Sequence, residues 1–332
     1  MKIGIVGAGA IGLWLAGRLA NAGSTISVLA RGQTLKTLTQ SGVTVITADG
    51  TRSAEVSASD RPVDFEHQDL VIFAVKGQDL PNAAEAAQAM IGPSTLLLPA
   101  MNGVPWWFLK SAKGSLAAQP LRSVDPEGKC EKALPTERVI GGVVHAACSV
   151  ERPGVVRHVM GNGIIIGAAG GLEATAVTEV QNILATAGFD ANHTENVRSD
   201  IWYKLWGNMT MNPISALTGA SCDLILDDPD ARAFASAIMD EAAAIGAAIG
   251  CPITQSPDDR HNITRQLGAF KTSMLQDAEA GRPLEIGALL EAPREIAQFA
   301  GIATPALDDL LGLMRVFSAA RTRRADAQGR PD

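Results

Sequence analysis

Runs of positive charge are missing from this 332-residue chain. Its 28 lysines and arginines stand against 35 aspartates and glutamates, a formal net charge of −7, and no sustained basic cluster occurs outside the tail. A nucleic-acid surface needs such a footprint, so no nucleic-acid partner is expected. Paired cysteines are missing too. The four cysteines, at 130, 148, 222 and 251, lie far apart without a C-x-x-C, and the five histidines are equally scattered. Neither a disulfide framework nor a zinc site is suggested, no metal is expected, and a reducing cytoplasm suits the chain. No membrane-spanning segment is expected. The opening MKIGIVGAGAIGLWLAGRLANAG imitates a secretion leader, yet glycines interrupt its apolar run at steps of two and three and Arg18 falls inside it. That spacing belongs to a strand and turn, so the chain is read as untargeted, with no membrane partner. No internal repeat of fixed period occurs.

What is present is the composition of a soluble globular protein, 46% hydrophobic and 19% charged, long enough for two domains with a core each. The first half alternates strand and helix. KIGIVGAGA reads as a buried strand, IGLWLAGRLANAG as a helix closing at Gly23, and TISVLAR as the next strand. DLVIFAVK and STLLLPAMNG follow, with the helix LPNAAEAAQAMIG between them. Such alternation predicts a parallel sheet with helices packed on it. From about Gly141 to Gly167 short β-prone runs suggest an antiparallel extension of that sheet. After about Val197 helical periodicity takes over, at 200–217, 229–250, 258–280, 285–301 and 305–320, ending in a polar tail expected to fray. The expected fold is therefore α/β: an N-terminal Rossmann-type dinucleotide-binding domain with an antiparallel extension, residues 1–197, then an all-helical C-terminal domain, residues 198–332.

GAGAIG places Gly7, Gly9 and Gly12 in G-x-G-x-x-G spacing between a strand and a helix, with Ala10 and Ile11 opening that helix. The first glycine allows the tight turn, the second the approach of a pyrophosphate, the third close packing of helix on strand. The second strand ends in Arg31, and no acid follows until Asp49. A carboxylate there would hold the 2′-hydroxyl of NAD, whereas an arginine accepts the 2′-phosphate of NADP, so NADP is the expected cofactor. Lys76 and Asn102 each follow an apolar strand directly, at the carboxyl edge where open α/β sheets bind ligands. Solvent exposure for the lysine and turn capping for the asparagine are the plainer alternatives.

In WYKLWGNMTMNP, Lys204, Asn208 and Asn212 recur at steps of four. Each step turns an α-helix by roughly 400°, so the three share one face, drifting only about 40° per step. A solvated face is the simple explanation. Against it, no carboxylate between Ile201 and Met211 pairs with the lysine, and aromatics surround it.

Together these features resemble the ketopantoate reductase (2-dehydropantoate 2-reductase) family over nearly the whole chain. The resemblance rests on GAGAIG, Arg31, AVK at 74–76, NG at 102–103, KLWGNMTMNPISAL from 204, SMLQD at 273–277 and EI at 285. It implies that Lys204 is the general acid, that Glu285 contacts the substrate hydroxyl and orients the lysine, and that Asn208 and Asn212 hold the substrate. Asn102 would lie between cofactor and substrate, and the polar stripe would face a cleft between the domains. The chemistry agrees. A hydride delivered to a ketone leaves an alkoxide that needs a proton, desolvation brings a lysine into range as donor, and Ser273 with the asparagines suits a 2-oxo acid carboxylate.

Two departures bear on the substrate. The family usually reads Ser or Thr, then Glu-Ile-Asp, around the glutamate, where this chain has LEIG with Leu284 and Gly287. PWWF at 105–108 is a second departure, suited either to an apolar pocket or to packing under a loop. The expected reaction is NADPH-dependent reduction of 2-dehydropantoate to (R)-pantoate in pantothenate biosynthesis. The alternatives are another branched or aromatic 2-oxo acid, or an NADP-binding redox sensor without turnover. The apolar helices of the second domain outnumber what one cleft needs, which leaves room for a homodimer.

Overall fold

The computed structural model describes residues 1–112, 114–327 and 329. Apart from short 3-10 turns, the chain runs β1 (Lys2–Val6), α1 (Ala10–Asn21), β2 (Thr25–Leu29), α2 (Gly32–Ser41), β3 (Val43–Thr47), β4 (Gly50–Ala54), β5 (Ser57–Ser59), β6 (Gln68–Phe73), α3 (Leu80–Ala86), β7 (Ile91–Pro99), α4 (Lys129–Ala133), β8 (Ile140–Arg152), β9 (Val155–Ala168), α5 (Ala174–Thr186) and β10 (Asp190–His193). Beyond β10 only helices follow among the described residues: α6 (Val197–Thr218), α7 (Cys222–Asp227), α8 (Pro229–Ala248), α9 (Pro257–Arg265), α10 (Ser273–Glu279), a π-helical turn (Gly287–Glu291), α11 (Ala292–Ala300) and α12 (Pro305–Ala327). Two compact units form. One comprises Met1–Asn102, Trp106–Ser111 and Asp125–Asp200, the other Gly103–Pro105, Ala112–Val124 and Ile201–Asp332.

In the first unit a wholly parallel sheet has the order β5-β2-β1-β6-β7. Its central strands are buried on both faces, which is why they read as unbroken apolar runs. The connections leave β1 in opposite directions, towards β2 and towards β6, and the crevice at that reversal opens at the carboxyl ends of the strands.

The β-prone text after Gly141 does not extend this sheet. It builds a second one, ordered β10-β9-β3-β4 with β8 antiparallel on the other edge of β9, and among the described residues the two sheets meet in the bridge Leu97–Val139. Helix α1 is the reason. Its residues 12–17 are all buried, so no side of it can face water, and the second sheet covers what the first leaves bare. At Gly17 a methyl group would come within 2.4 Å of Val45, which fixes how closely α1 lies on β3. Ile3, Ile5 and Ile72 of the first sheet share one core with Leu13 and Trp14 of α1 and Val45, Ile164 and Ile166 of the second.

The aromatic run is packing. Trp107 and Phe108 are fully buried in the first unit. The Trp107 ring occupies the space that a side chain on Gly141 would fill, 2.8 Å from the added carbon, and the Arg198 guanidinium lies 5.0 Å over Phe108.

The second unit is built on α6, whose Trp202 and Trp206 are buried against α8. Their indole N–H groups donate to the carbonyls of Ala242 (3.1 Å) and Met239 (2.8 Å), so the rings are buried without losing a polar partner. The helix expected over 258–280 is two helices. Gly268 adopts φ +62° after α9, and Thr272 caps α10 by accepting the Leu275 N–H at 3.2 Å, a stop and a start that apolar periodicity does not register. Helix α7 lies in text given no element by periodicity. Helix α12 runs on to Ala327, through part of the expected polar tail; residues 328 and 330–332 lie outside the described residues. No helix among the described residues is long and apolar enough to cross a membrane.

Candidate active site

The turn from β1 into α1 tests the three glycines separately. Gly7 has φ +106°, and a Cβ there would sit 2.7 Å from Val75 and 2.8 Å from the Ala74 carbonyl oxygen. At Gly12 the added carbon would lie 1.9 Å from the Gly7 carbonyl oxygen, so helix and turn touch through backbone alone. Gly9 differs: it is exposed, extended (φ −80°, ψ −170°), and nothing of the protein lies within 4 Å of where a Cβ would project. The chain itself makes no demand for glycine there, whereas a ligand approaching the backbone from outside would. The first helical bond of α1 runs from Leu13 N–H to the Gly9 carbonyl (2.9 Å), so the N–H groups of Ala10, Ile11 and Gly12 precede the helical ladder at its positive end. This cradle fits a dinucleotide pyrophosphate.

The other residues expected at the cofactor share that edge of the sheet. Arg31 precedes α2 two residues beyond β2, with extended backbone and an exposed side chain. Lys76 follows β6, half-buried, and precedes a 3-10 turn at Gly77–Asp79. Asn102 follows β7, also half-buried.

In the second unit Lys204, Asn208 and Asn212 lie on α6. Lys204 is half-buried by its exposed surface, but its ammonium is desolvated enough to bring its pKa from the ordinary lysine range down to about 8. The Glu285 carboxylate acts in the opposite direction, favouring the charged form. Glu285 is itself buried, at 6% exposure, just before the π-helical turn. Asn212 is buried as well, and among the described residues the amides of Asn208 and Asn212 donate to no other side chain or carbonyl. The stripe on α6 is thus no solvated face: it joins a lysine of lowered basicity, a buried carboxylate and two amides with donors to spare.

Ser273 opens α10 and is exposed, and no hydrogen bond of its hydroxyl ties it to the Lys204 and Glu285 pair. The turn between Ser273 and Glu285 is held from beneath. Buried Asp277 accepts from Arg282 Nε at 2.8 Å, and Arg321 Nη2 donates to the carbonyls of Ala278 and Arg282, both at 3.1 Å. The sequence marked Asp277 only as part of a motif and did not mark Arg321, whose partners lie more than thirty-five positions away.

Other polar groups separate cleanly from this site. His261 is buried and meets Ser236 Oγ at 3.0 Å, but that hydroxyl donates to the Arg232 carbonyl at 2.9 Å. The histidine is therefore the donor to Ser236, and the serine is no activated nucleophile. His158 stacks on Trp14 at 5.3 Å. None of the four cysteines is in a disulfide, and burial pushes Cys148 up to about 12 and Cys222 to about 11, which leaves those two unreactive. A hollow of about 660 Å³, lined by Met1, Gly23, Asp69, Leu96 and Asn182 among others, lies at the amino-terminal edge of the parallel sheet and contains none of these site residues. Among the described residues no group of three or more His, Cys, Asp or Glu is placed to hold a metal.

Comparison with known proteins covers the chain in two pieces. A family model described as ketopantoate reductase PanE/ApbA matches residues 3–171, and its C-terminal counterpart matches residues 196–318. A curated 2-dehydropantoate 2-reductase from Mesorhizobium japonicum is 40% identical over 323 residues, 97% of this chain and 99% of the relative. Among solved structures, one from Ralstonia solanacearum MolK2, provisionally named a ketopantoate reductase, superposes with a TM-score of 0.92 at 48% identity, covering 96% of this chain and 98% of its own. D-mandelate dehydrogenase, solved with NADH and anilino(oxo)acetate, shares the fold at a TM-score of 0.84 and 20% identity, over 97% of this chain and all of that one.

Proposed function

The chain belongs to the ketopantoate reductase family, and from that premise we propose that Lys204 is the general acid of its reaction, with NADPH as the reductant. The reaction is reduction of 2-dehydropantoate to pantoate, a step of pantothenate biosynthesis. The observation that carries the assignment is the lowered pKa of Lys204, held near 8 between burial and Glu285.

A bound nicotinamide dinucleotide supplies the hydride that adds to the ketone carbon. Lys204 holds a proton for the oxygen that becomes an alkoxide, and at neutral pH it is protonated yet close enough to neutrality to give that proton up. Glu285 keeps the ammonium charged until transfer and accepts a hydrogen bond from the new hydroxyl. Asn208 and Asn212 donate to the substrate through amides that bond to no other side chain or carbonyl, and Ser273 offers its hydroxyl to the carboxylate. Gly7, Gly9 and the amides of Ala10, Ile11 and Gly12 cradle the pyrophosphate. Arg31 takes the 2′-phosphate, with no acid following it in the chain until Asp49, and Lys76 and Asn102 border the same edge of the sheet. In this reading residues 1–197 bind the cofactor and residues 198–332 carry the chemistry, in the cytoplasm. A homodimer belongs to the reading too, supported by Leu313 and Val316, apolar and largely exposed on α12.

Replacing Lys204 by Ala tests the assignment. NADPH binding, followed by fluorescence titration, is expected to survive while turnover collapses; turnover at the wild-type rate would remove Lys204 from the mechanism.

A further inference from the structure

The connection from β7 to β8 is long, and two of its stretches, Gly103–Pro105 and Ala112–Val124, fold with the second unit. Both land on the turn that follows Glu285. At Gly103, with φ +81°, an added Cβ would sit 2.6 Å from the Ala288 carbonyl oxygen, and the next residue, Val104, donates its N–H to that oxygen at 2.9 Å. The acceptor is available for a covalent reason. In the π-helical turn the Ala292 N–H goes to the Gly287 carbonyl, and residue 293 is a proline with no N–H, so Ala288 lacks its helical donors. Val104 supplies the missing one.

The second stretch presses on the same turn at Gly287. The Ser123 carbonyl oxygen lies 2.9 Å from where a Cβ on Gly287 would be, so any side chain there displaces the strap. This gives the LEIG departure a cause: a carboxylate at 287 has no room while residues 120–124 are seated. They are fastened by one side chain of α11. The Glu295 carboxylate accepts the Arg122 N–H (2.9 Å), the Ser123 N–H (3.0 Å) and the Ser123 hydroxyl (2.6 Å). Leu121, next to this clamp, is buried.

We propose that Glu295 is a positioning residue for the reductase. By clamping Arg122 and Ser123 beside Gly287, it holds the turn that sets Glu285, so residues 120–124 tune substrate recognition. The inference rests on the assignment of Glu285 to the substrate. It is specific to the geometry of three donors on one carboxylate: an amide at 295 would turn an NH2 group towards backbone N–H donors and lose at least one of the three bonds.

The test is steady-state kinetics of the full chain with Glu295→Ala and the nearly isosteric Glu295→Gln, beside wild type, with NADPH and 2-dehydropantoate each varied. The expected result is a rise of about tenfold or more in the KM for the oxo acid in the Ala variant, less in the Gln variant, with the KM for NADPH within twofold of wild type, the size that goes with loss of charge-assisted hydrogen bonds. A merely structural role would lower the active fraction, and so the apparent kcat, at unchanged KM; that result overturns the proposal. Should the Ala variant fail to fold, the Gln variant alone decides. A wild-type chain that reduces no 2-oxo acid would instead defeat the functional assignment and this inference with it, whereas an active wild type matched by both variants defeats the inference alone.

Discussion

The two units solve their tasks with different parts of the chain. In the first, the proposed site is backbone: a glycine at φ +106°, a helix touching its own turn within 1.9 Å of a missing methyl, and N–H groups at a helix start. In the second, the proposed site is side chains on a helix that is otherwise core, and the basicity of Lys204 is set by its surroundings, lowered by burial and raised by Glu285. Backbone sites are enforced by steric exclusion, which admits almost no substitution, whereas side-chain sites are enforced by burial and charge, which are set by the rest of the fold.

That contrast orders the expected effects. The largest falls on the second unit: Lys204→Ala should lower kcat on the order of 10²–10⁴-fold, the range for removing a positioned acid, with the NADPH dissociation constant unchanged. Trp107→Ala comes next and falls on the first. Its ring fills the space over Gly141, so thermal or denaturant unfolding should report a loss of about 3–5 kcal/mol, while the KM for the oxo acid in the folded fraction stays put. A changed KM would move the aromatic run from packing to pocket. Arg31→Ala should raise the KM for NADPH about 10- to 100-fold, from loss of a charge-assisted contact of about 1.5–3 kcal/mol, and leave that for NADH alone. The subtlest effect is on pH dependence. A donor must be protonated, so activity is present below the lysine pKa and lost as pH rises through about 8. Glu285 holds that value up against burial, so Glu285→Gln should move the alkaline limb of the kcat profile to lower pH. A limb that moves upward would contradict the coupling.

The same contrast explains what could be read from the sequence. GAGAIG was legible because Gly7 and Gly12 answer steric demands of the chain while Gly9 leaves the turn open to an approaching ligand, and the stripe 204, 208, 212 because helical geometry repeats near four. The parallel sheet showed itself in apolar runs. The second sheet did not, since residues 43–54 join it only because α1 needs covering on its far side, a fact of packing and not of local pattern. The break between α9 and α10 hid inside a continuous helical period, although Gly268 and Thr272 mark it. Gly287 was visible as an oddity but not as a consequence. Its reason, the Ser123 carbonyl, comes from 164 positions upstream through a clamp whose members no local window contains.

The most direct measurement of the central claim is the absorbance at 340 nm of the purified chain with NADPH and 2-dehydropantoate, run beside NADH and beside 2-oxoisovalerate and phenylpyruvate. Rapid oxidation confined to NADPH and 2-dehydropantoate is the predicted result. Turnover of phenylpyruvate or 2-oxoisovalerate with none of 2-dehydropantoate would contradict the substrate assignment, and no turnover of any oxo acid with either cofactor would contradict the assignment as a reductase.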